Sequence, residues 1–517
     1  LALTVMVQGT ASDAGKSLLC TALCRIFARR GFTVAPFKSQ NMALNSYVTA
    51  DGKEIGRAQG VQAEACGIPA TVDMNPILLK PKGNMTSQVV VRGVPIGDMS
   101  AIDYRLDYVP TAIGIIKDSL ARLCNTHEVV VLEGAGSPVE INLKDRDITN
   151  MKVAELADAP VILVADIDRG GVFASIVGTL ELLEPRERER VKGFVINKFR
   201  GDIRLLEPGL DWLEKRTGIP VLGVVPYQRD LYIESEDSVV LDKMNLKKPA
   251  VANELDVVVI RFPLISNFTD VDPLRFEPDV SLRFVSSPDE LGQPDLIILP
   301  GTKNTVDDLL WLTQKGLAAR LVAMPPAANI LGICGGYQML GSRLLDPDLV
   351  ESNLPELQGL GLLDITTRFL PHKTTVQAAG RVLDMPGAAS CLTGLTVEGY
   401  EIHMGRSERG NVRPFARLCS ANGVHEDGAV NRDGTVIGTY LHGILHNDEW
   451  RRSFLDGIRV KKGLLPIGKT TSNYKRRMEA FDQWADAVET AIDMDRLLSI
   501  MKNKGEHKSE NLYANRR

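Results

Sequence analysis

Thr4-Val-Met-Val-Gln-Gly9-Thr-Ala-Ser-Asp-Ala-Gly15-Lys16-Ser17 starts as an apolar strand, turns through a loop bounded by two glycines, and leads into the helical run Leu18–Arg29. In this order of elements, successive backbone N–H groups and a helix N-terminus collect phosphate oxygens. Lys16 would neutralise the terminal phosphates, and the Ser17 hydroxyl would face Mg²⁺. Thr10, Asp13, Ala14 and Gly15 complete the expected cradle, which is one residue longer than the usual spacing. A phosphate site of this kind also needs an acid at the tip of a neighbouring strand. Val129-Val-Val-Leu132-Glu133-Gly134-Ala-Gly136 supplies Glu133, followed by glycines that let backbone approach a ligand. Asp51, before Gly52, is a second metal candidate, although an Asp-Gly turn is equally natural there. Asn197, after the strand Gly193–Ile196, could read a base edge or simply cap its own loop.

Further apolar runs follow at Pro160–Ala165, Val257–Ile260 and Asp295–Leu299, alternating with amphipathic stretches. Continuous apolar strands are buried on both faces, so the pattern predicts an α/β chain with two doubly wound, mainly parallel-sheet domains. The polar stretch Asp242–Glu254 is the expected boundary, giving units at 1–245 and 255–450. Asn447–Met501 reads as a charged helical extension (451–501), and 502–517 as a flexible tail.

The 517 residues carry 60 Lys+Arg against 65 Asp+Glu, a net charge of −5, with 44% apolar and 5% aromatic residues. This mildly acidic balance gives no sign of a nucleic-acid or polyanion binder, and none is expected. No apolar run reaches membrane-spanning length, and the apolar start at Leu1–Val7 is too short for a secretory signal. Seven scattered cysteines argue against a disulfide framework, so a cytoplasmic protein is expected.

One cysteine stands apart. Ala328-Asn-Ile-Leu-Gly332-Ile-Cys334-Gly335-Gly336-Tyr-Gln-Met-Leu is a strand, a sharp turn and a helix, with glycines where the backbone is cramped. A thiol at such an elbow is a nucleophile, and the Gly335 N–H is placed to stabilise an oxyanion. Pro300-Gly301-Thr302-Lys303-Asn304, after the strand Asp295–Leu299, is the natural source of the second donor, with Gly301 the candidate. The other six cysteines read as packing residues. Among seven histidines, His442 ends the run Ile437-Gly-Thr-Tyr-Leu-His442-Gly and is the preferred base. His403 is the competitor, on a strand whose Glu401 shares its face; His446 reads as a surface residue, and His127, His372, His425 and His507 lie at a helix end, in loops and in the tail.

Gly332-Ile-Cys334-Gly335-Gly336 together with Gly438-Thr-Tyr-Leu-His442-Gly resembles a class I glutamine amidotransferase domain of the cobyrinate-amidating family. The first loop is similar to that of dethiobiotin synthetase and its relatives, the P-loop type this family carries. Ser39-Gln-Asn-Met-Ala-Leu-Asn45-Ser46, Ala165-Asp166-Ile-Asp168-Arg169-Gly170-Gly171, Asn197-Lys-Phe-Arg-Gly-Asp202 and Ile265-Ser-Asn-Phe-Thr-Asp270 resemble the branch that makes cobyric acid. The resemblance implies ATP- and L-glutamine-dependent amidation of the b, d, e and g carboxylates of a corrinoid, adenosylcobyrinic acid a,c-diamide, in cobalamin biosynthesis. It further implies ATP and Mg²⁺ as cofactors, with ammonia supplied by Cys334 and His442. Lys38, Gln40, Asn41, Asn45 and Arg169 are then candidates for holding the polycarboxylate. Other class I glutaminases carry an acid two residues after the histidine; Ile444 stands there, consistent with a Cys–His pair. The earlier-acting a,c-diamide synthase is the near alternative, and a P-loop partitioning or assembly ATPase the remote one, which would leave Cys334 unexplained.

Overall fold

Runs such as Val129–Leu132 and Val257–Ile260 have no polar side to turn toward water, and each lies inside a parallel sheet covered on both faces. The computed structural model describes residues 2–83, 85–228, 231–234, 253–324, 328–469 and 472–503. The first sheet is wholly parallel, ordered Val221–Pro226, Val191–Phe199, Val161–Asp166, Leu3–Gly9, Val129–Glu133, Val34–Phe37. The second runs Val280–Val285, Leu255–Ile260, Leu296–Leu299, Asn329–Ile333, Val436–Thr439, Ala429–Val430, parallel except for the last strand. The expected strands all form, most of them longer than the apolar run that marked them. The proposed boundary at 242–254 falls outside the described residues except for 253 and 254, as does the tail beyond 503, including His507.

Smaller sheets, mostly antiparallel, sit on both units, and of their strands the sequence reading marked only the one carrying Glu401 and His403. A sheet of Gln40–Met42, Ile77–Gly83, Thr86–Val91 and Val94–Ser100, and a hairpin of Ser46–Val48 with Glu54–Gly56, decorate the first. A long hairpin, Ile365–Val382 with Thr396–Arg409, decorates the second, and its register breaks between Phe369 and Thr374. These additions make the contact between the units. Lys373, in the break, donates to Glu54 Oε2 at 2.5 Å, while Lys80 and Ser46 bind Glu54 Oε1, each at 2.6 Å. The Ser46 N–H donates to Asn267 Oδ1 at 2.8 Å, and Gln377 Nε2 to the Val48 carbonyl at 2.5 Å.

The helical extension divides in two. Asp448–Lys461 packs in the second unit's core, whereas Asn473–Ala491 and Met494–Lys502 cross back to the first. Phe481, Trp484 and Val488 are buried with Leu19, Leu23 and Ile26 of the helix Lys16–Arg29, and Trp484 Nε1 donates to the Leu18 carbonyl at 2.7 Å. Replacing Trp484 by Ala should cost about 3–5 kcal/mol, the range for a buried aromatic lost from a core; the urea midpoint of the first transition is the measurement.

Candidate active site

Parallel sheets open a crevice at the carboxyl ends of their strands. In the first sheet, Leu3–Gly9 and Val129–Glu133 are neighbours, so the Gly-bounded loop and Glu133 meet there. Gly15 has φ +96°, and a Cβ on it would fall 2.1 Å from Asn197 Nδ2. Asn197 donates to the Ala14 carbonyl at 2.9 Å, so it braces the loop from behind. Thr10 N–H pairs with the Val164 carbonyl. Lys16 Nζ lies across the loop on the carbonyls of Ala11 (3.0 Å) and Gly136 (2.9 Å). Asp13, itself at φ +59°, bonds Arg169 at 3.0 Å, and Lys198 reaches the Asp13 carbonyl. Arg169 thus stands on the rim of the phosphate loop.

Glu133 is buried and accepts from Ser17 Oγ (2.8 Å), Lys38 Nζ (2.9 Å) and Gln62 Nε2 (2.6 Å). Burial pulls its carboxyl upward, but the Lys38 charge and these hydrogen bonds outweigh it and hold the carboxyl below its ordinary range. A hydroxyl beside an ionised carboxylate suits Mg²⁺, which takes its remaining ligands from phosphates and water. Among the described residues no three His, Cys, Asp or Glu side chains gather as a self-sufficient metal cage.

Asp51 is a correction. It lies exposed in the turn of the Ser46–Gly56 hairpin, where Thr49 Oγ1 donates to it at 2.5 Å and neighbouring Gly52 abuts the Thr375 carbonyl. The helix Arg57–Cys66 brings Gln59 and Gln62 to Glu133 instead. Asn45 is corrected too. It is buried between the units, its side-chain carbonyl accepting from the Phe268 N–H at 3.3 Å, which commits it to the interface. Lys38 faces Glu133 on the phosphate side. Asn41 donates to Gln59 at 3.2 Å, and Gln40 accepts from Tyr104 at 2.5 Å.

At the second centre, Leu296–Leu299, Asn329–Ile333 and Val436–Thr439 lie side by side and deliver Gly301, Cys334 and His442 to one edge. Cys334 has φ 52° and ψ −108°, a strained position that forces the sulfur out of the strand-to-helix turn. Gly336 packs where a Cβ would come within 1.9 Å of the Leu299 carbonyl. His442 Nδ1 pairs with Asp270 Oδ2 at 2.6 Å, and the Gly443 N–H donates to Asp270 Oδ1 at 2.9 Å. Burial opposes the imidazolium, yet the bonded Asp270 carboxylate and the Cys334 sulfur push its pKa up to about 10. His442 therefore has a buried carboxylate partner that the sequence reading missed. Asp270 lies 172 residues from His442, and only its place in the Ile265–Asp270 string signalled it.

Gly301 abuts the His442 ring, where a Cβ would lie 2.9 Å from Cε1. The next N–H, that of Thr302, sits 3.2 Å from where Gly335 would carry a Cβ, so Thr302 is better placed as the second oxyanion donor. His403 is not the base: its Nδ1 is on the Gly405 carbonyl at 2.7 Å, its ring stacks on Tyr440, and burial carries its pKa down to about 4. Glu401 pairs with His425, not His442. His446 is half-buried and bonds the Thr269 carbonyl at 3.0 Å. Of the cysteines read as packing residues, Cys391 and Cys419 are exposed.

A cleft of about 1560 Å³ opens between the units, bordered by Arg25, Arg57, Tyr400 and Arg477. None of the five polycarboxylate candidates lines it. Arg25, on its border, lies nine residues along the helix from Lys16, about 14 Å at the usual helical rise.

Family models match both halves: a CobQ/CobB/MinD/ParA nucleotide binding domain over residues 5–239 and a CobB/CobQ-like glutamine amidotransferase domain over 256–450. The chain is 55% identical to a cobyric acid synthase of Sorangium cellulosum, over 96% of this chain and 99% of that one. It is 52% identical to one of a Geobacillus species (96% and 97%) and 50% identical to one of Dehalococcoides mccartyi (98% and 100%).

Asp270→Asn should lower the rate of glutamine hydrolysis by about 10²–10⁴-fold, since a triad acid holds the imidazole tautomer and stabilises its cation. Glu401→Gln should leave it within about twofold, because Glu401 touches His425 alone of the two histidines. Glutamate release measured for both variants checks the assignment.

Proposed function

The chain belongs to the cobyric acid synthase family, and from that membership we infer how its two centres divide one reaction. It is an ATP-dependent, glutamine-hydrolysing amidating ligase of cobalamin synthesis. A carboxylate does not condense with ammonia in water, because oxide is a hopeless leaving group. Phosphoryl transfer from ATP turns that oxygen into phosphate. Lys16 and the N–H groups of the loop hold the transferring group, and Arg169 stands at the rim. Mg²⁺, held by Ser17 and Glu133, would supply charge neutralisation on the phosphates. The acceptor is proposed to be adenosylcobyrinic acid a,c-diamide, amidated at b, d, e and g, with Gln40, Asn41 and Arg169 the remaining candidates to meet it.

At the other centre Cys334 attacks the amide carbon of glutamine, with Gly335 and Thr302 donating to the oxyanion. His442 passes the thiol proton to the departing ammonia, and water then clears the thioester. The reading rests chiefly on one observation: a strained, buried thiol whose histidine is held by Asp270, in the same chain as a phosphate loop. Cys334 is buried, so nitrogen freed there is released within the protein. A partitioning ATPase has no use for such a thiol, and the a,c-diamide synthase is disfavoured by the names of the relatives.

Cys334→Ser should lose at least about 10³-fold of glutamine-dependent amidation while ammonium chloride still supports it. Lys16→Ala should lose amidation from both nitrogen sources with an unchanged circular dichroism spectrum. Product analysis with each corrinoid acid is the measurement; a Cys334→Ser protein that still consumes glutamine removes the nucleophile assignment.

A further inference from the structure

His442 is held at more points than its bond to Asp270. Its backbone forms an antiparallel bridge with Tyr400 of the strand Thr396–Arg409. The His442 N–H donates to the Tyr400 carbonyl at 2.9 Å, and the Tyr400 N–H donates to the His442 carbonyl at 3.2 Å. Residues paired in this way send their side chains to the same side. The two rings accordingly stack, with centroids 5.1 Å apart and planes 12° from parallel. Gly399 permits the approach, since a Cβ on it would fall 2.0 Å from the His442 carbonyl. The same strand also reaches the thiol, because Cys334 Sγ donates to the Ile402 carbonyl at 3.6 Å.

Asp270 secures one atom of the imidazole, Nδ1. The χ2 torsion of a histidine is soft, so one bond at Nδ1 leaves the ring plane room to tilt. A flat ring across its face removes that freedom. Tyr400 is buried, and its hydroxyl has no hydrogen-bond partner among the described residues. What it offers the histidine is its face. Tyr400 is itself seated from the other unit. Val48, buried at the end of the strand Ser46–Val48, packs with Tyr400 and Ile402 in one small apolar cluster. Gln377, paired with Tyr400 across the hairpin, donates to the Val48 carbonyl and fixes it there.

We propose that Tyr400 is a positioning residue for glutamine hydrolysis, its ring holding the His442 imidazole toward Cys334, and that Val48 of the first unit completes the seat. The thiol proton must pass to the imidazole and on to the departing ammonia, so the ring plane has to face both. A misplacement of about 1 Å can cost about 10²-fold in rate. Hydrolysis thereby depends on the docking of the two units, because without Val48 the ring behind the histidine loses its backing. This role rests on the glutaminase reading of Cys334.

The test is steady-state glutaminase kinetics on the full chain, with rates expressed per thiol titrated to completion by a diazoketone analogue of glutamine. Tyr400→Leu should lower kcat by about 10–100-fold, with KM for glutamine within about threefold, because binding does not need the proton transfer. Tyr400→Phe, which keeps the face, should hold kcat to within about threefold of wild type. Val48→Ala, which empties the space behind the ring, should lower kcat by at least about threefold. The imidazole proton shared with Asp270 gives a far-downfield proton resonance; it should persist in Tyr400→Phe and broaden in Tyr400→Leu, an effect that lost stability alone does not produce. Tyr400→Met, which fills the volume without a flat face, serves if the Leu variant does not fold. Wild-type kcat in the Leu or Met variant overturns the proposal, as does a Phe variant as slow as either. A normal rate in Val48→Ala overturns the part given to the first unit. A wild type that amidates from ammonium but hydrolyses no glutamine removes the glutaminase reading itself, and this role with it.

Discussion

The carboxylate of Glu54 is the point on which the arrangement of the two units depends. It is fully buried, with Lys80 and Ser46 of its own unit on one oxygen and Lys373 of the other unit on the second. Burial pulls the carboxyl upward, but Lys373 and Lys80 prevail and keep it ionised. An ion stripped of water in this way tolerates no missing partner: removing one side of a buried pair commonly costs about 3–5 kcal/mol. The contact fixes geometry more than it adds stability, because the attraction between these ions does little more than offset the cost of taking them out of water. Ser46–Asn267 and Asn45–Phe268 pin the same hairpin a few residues away. The small antiparallel additions, which look dispensable beside two large parallel sheets, are what hold the phosphate loop and the thiol in one frame.

Within each unit, close approach of backbone to side chain positions the reactive groups alongside their hydrogen bonds. Gly15, Gly301 and Gly336 each occupy a place where one methyl group would collide with Asn197, His442 or the Leu299 carbonyl. The loops are thereby packed to the density of a core, and Cys334 can be kept in a backbone conformation it would otherwise abandon.

The sequence made the local chemistry legible and concealed the long-range chemistry. Both strand–turn–helix motifs are contiguous, so Lys16, Ser17 and Cys334 could be placed by spacing, and the apolar run before His442 pointed to a strand end. The parallel strands announced themselves by having no polar face. Asp270 had no such signal: it comes from the 3₁₀ segment Phe268–Phe276 and meets His442 only through the fold. The expectation of an unassisted Cys–His pair followed from looking for an acid close in sequence, where Ile444 stands. Asp51 illustrates the converse error, since an acid before glycine is a good turn whatever the turn adjoins. Strands of three residues, such as Gln40–Met42 and Ser46–Val48, are too short to establish a period, and with them the whole interface was hidden.

The return of the last helices onto the first sheet bears on synthesis of the chain. Phe481, Trp484, Leu497 and Met501 fill one face of the unit that is translated before the other. That unit must wait, with Val5, Val7 and Leu19 uncovered, until the second unit and the helices after it have been translated. The nascent chain thus carries an adhesive surface while the second unit is made, a natural target for a ribosome-associated chaperone.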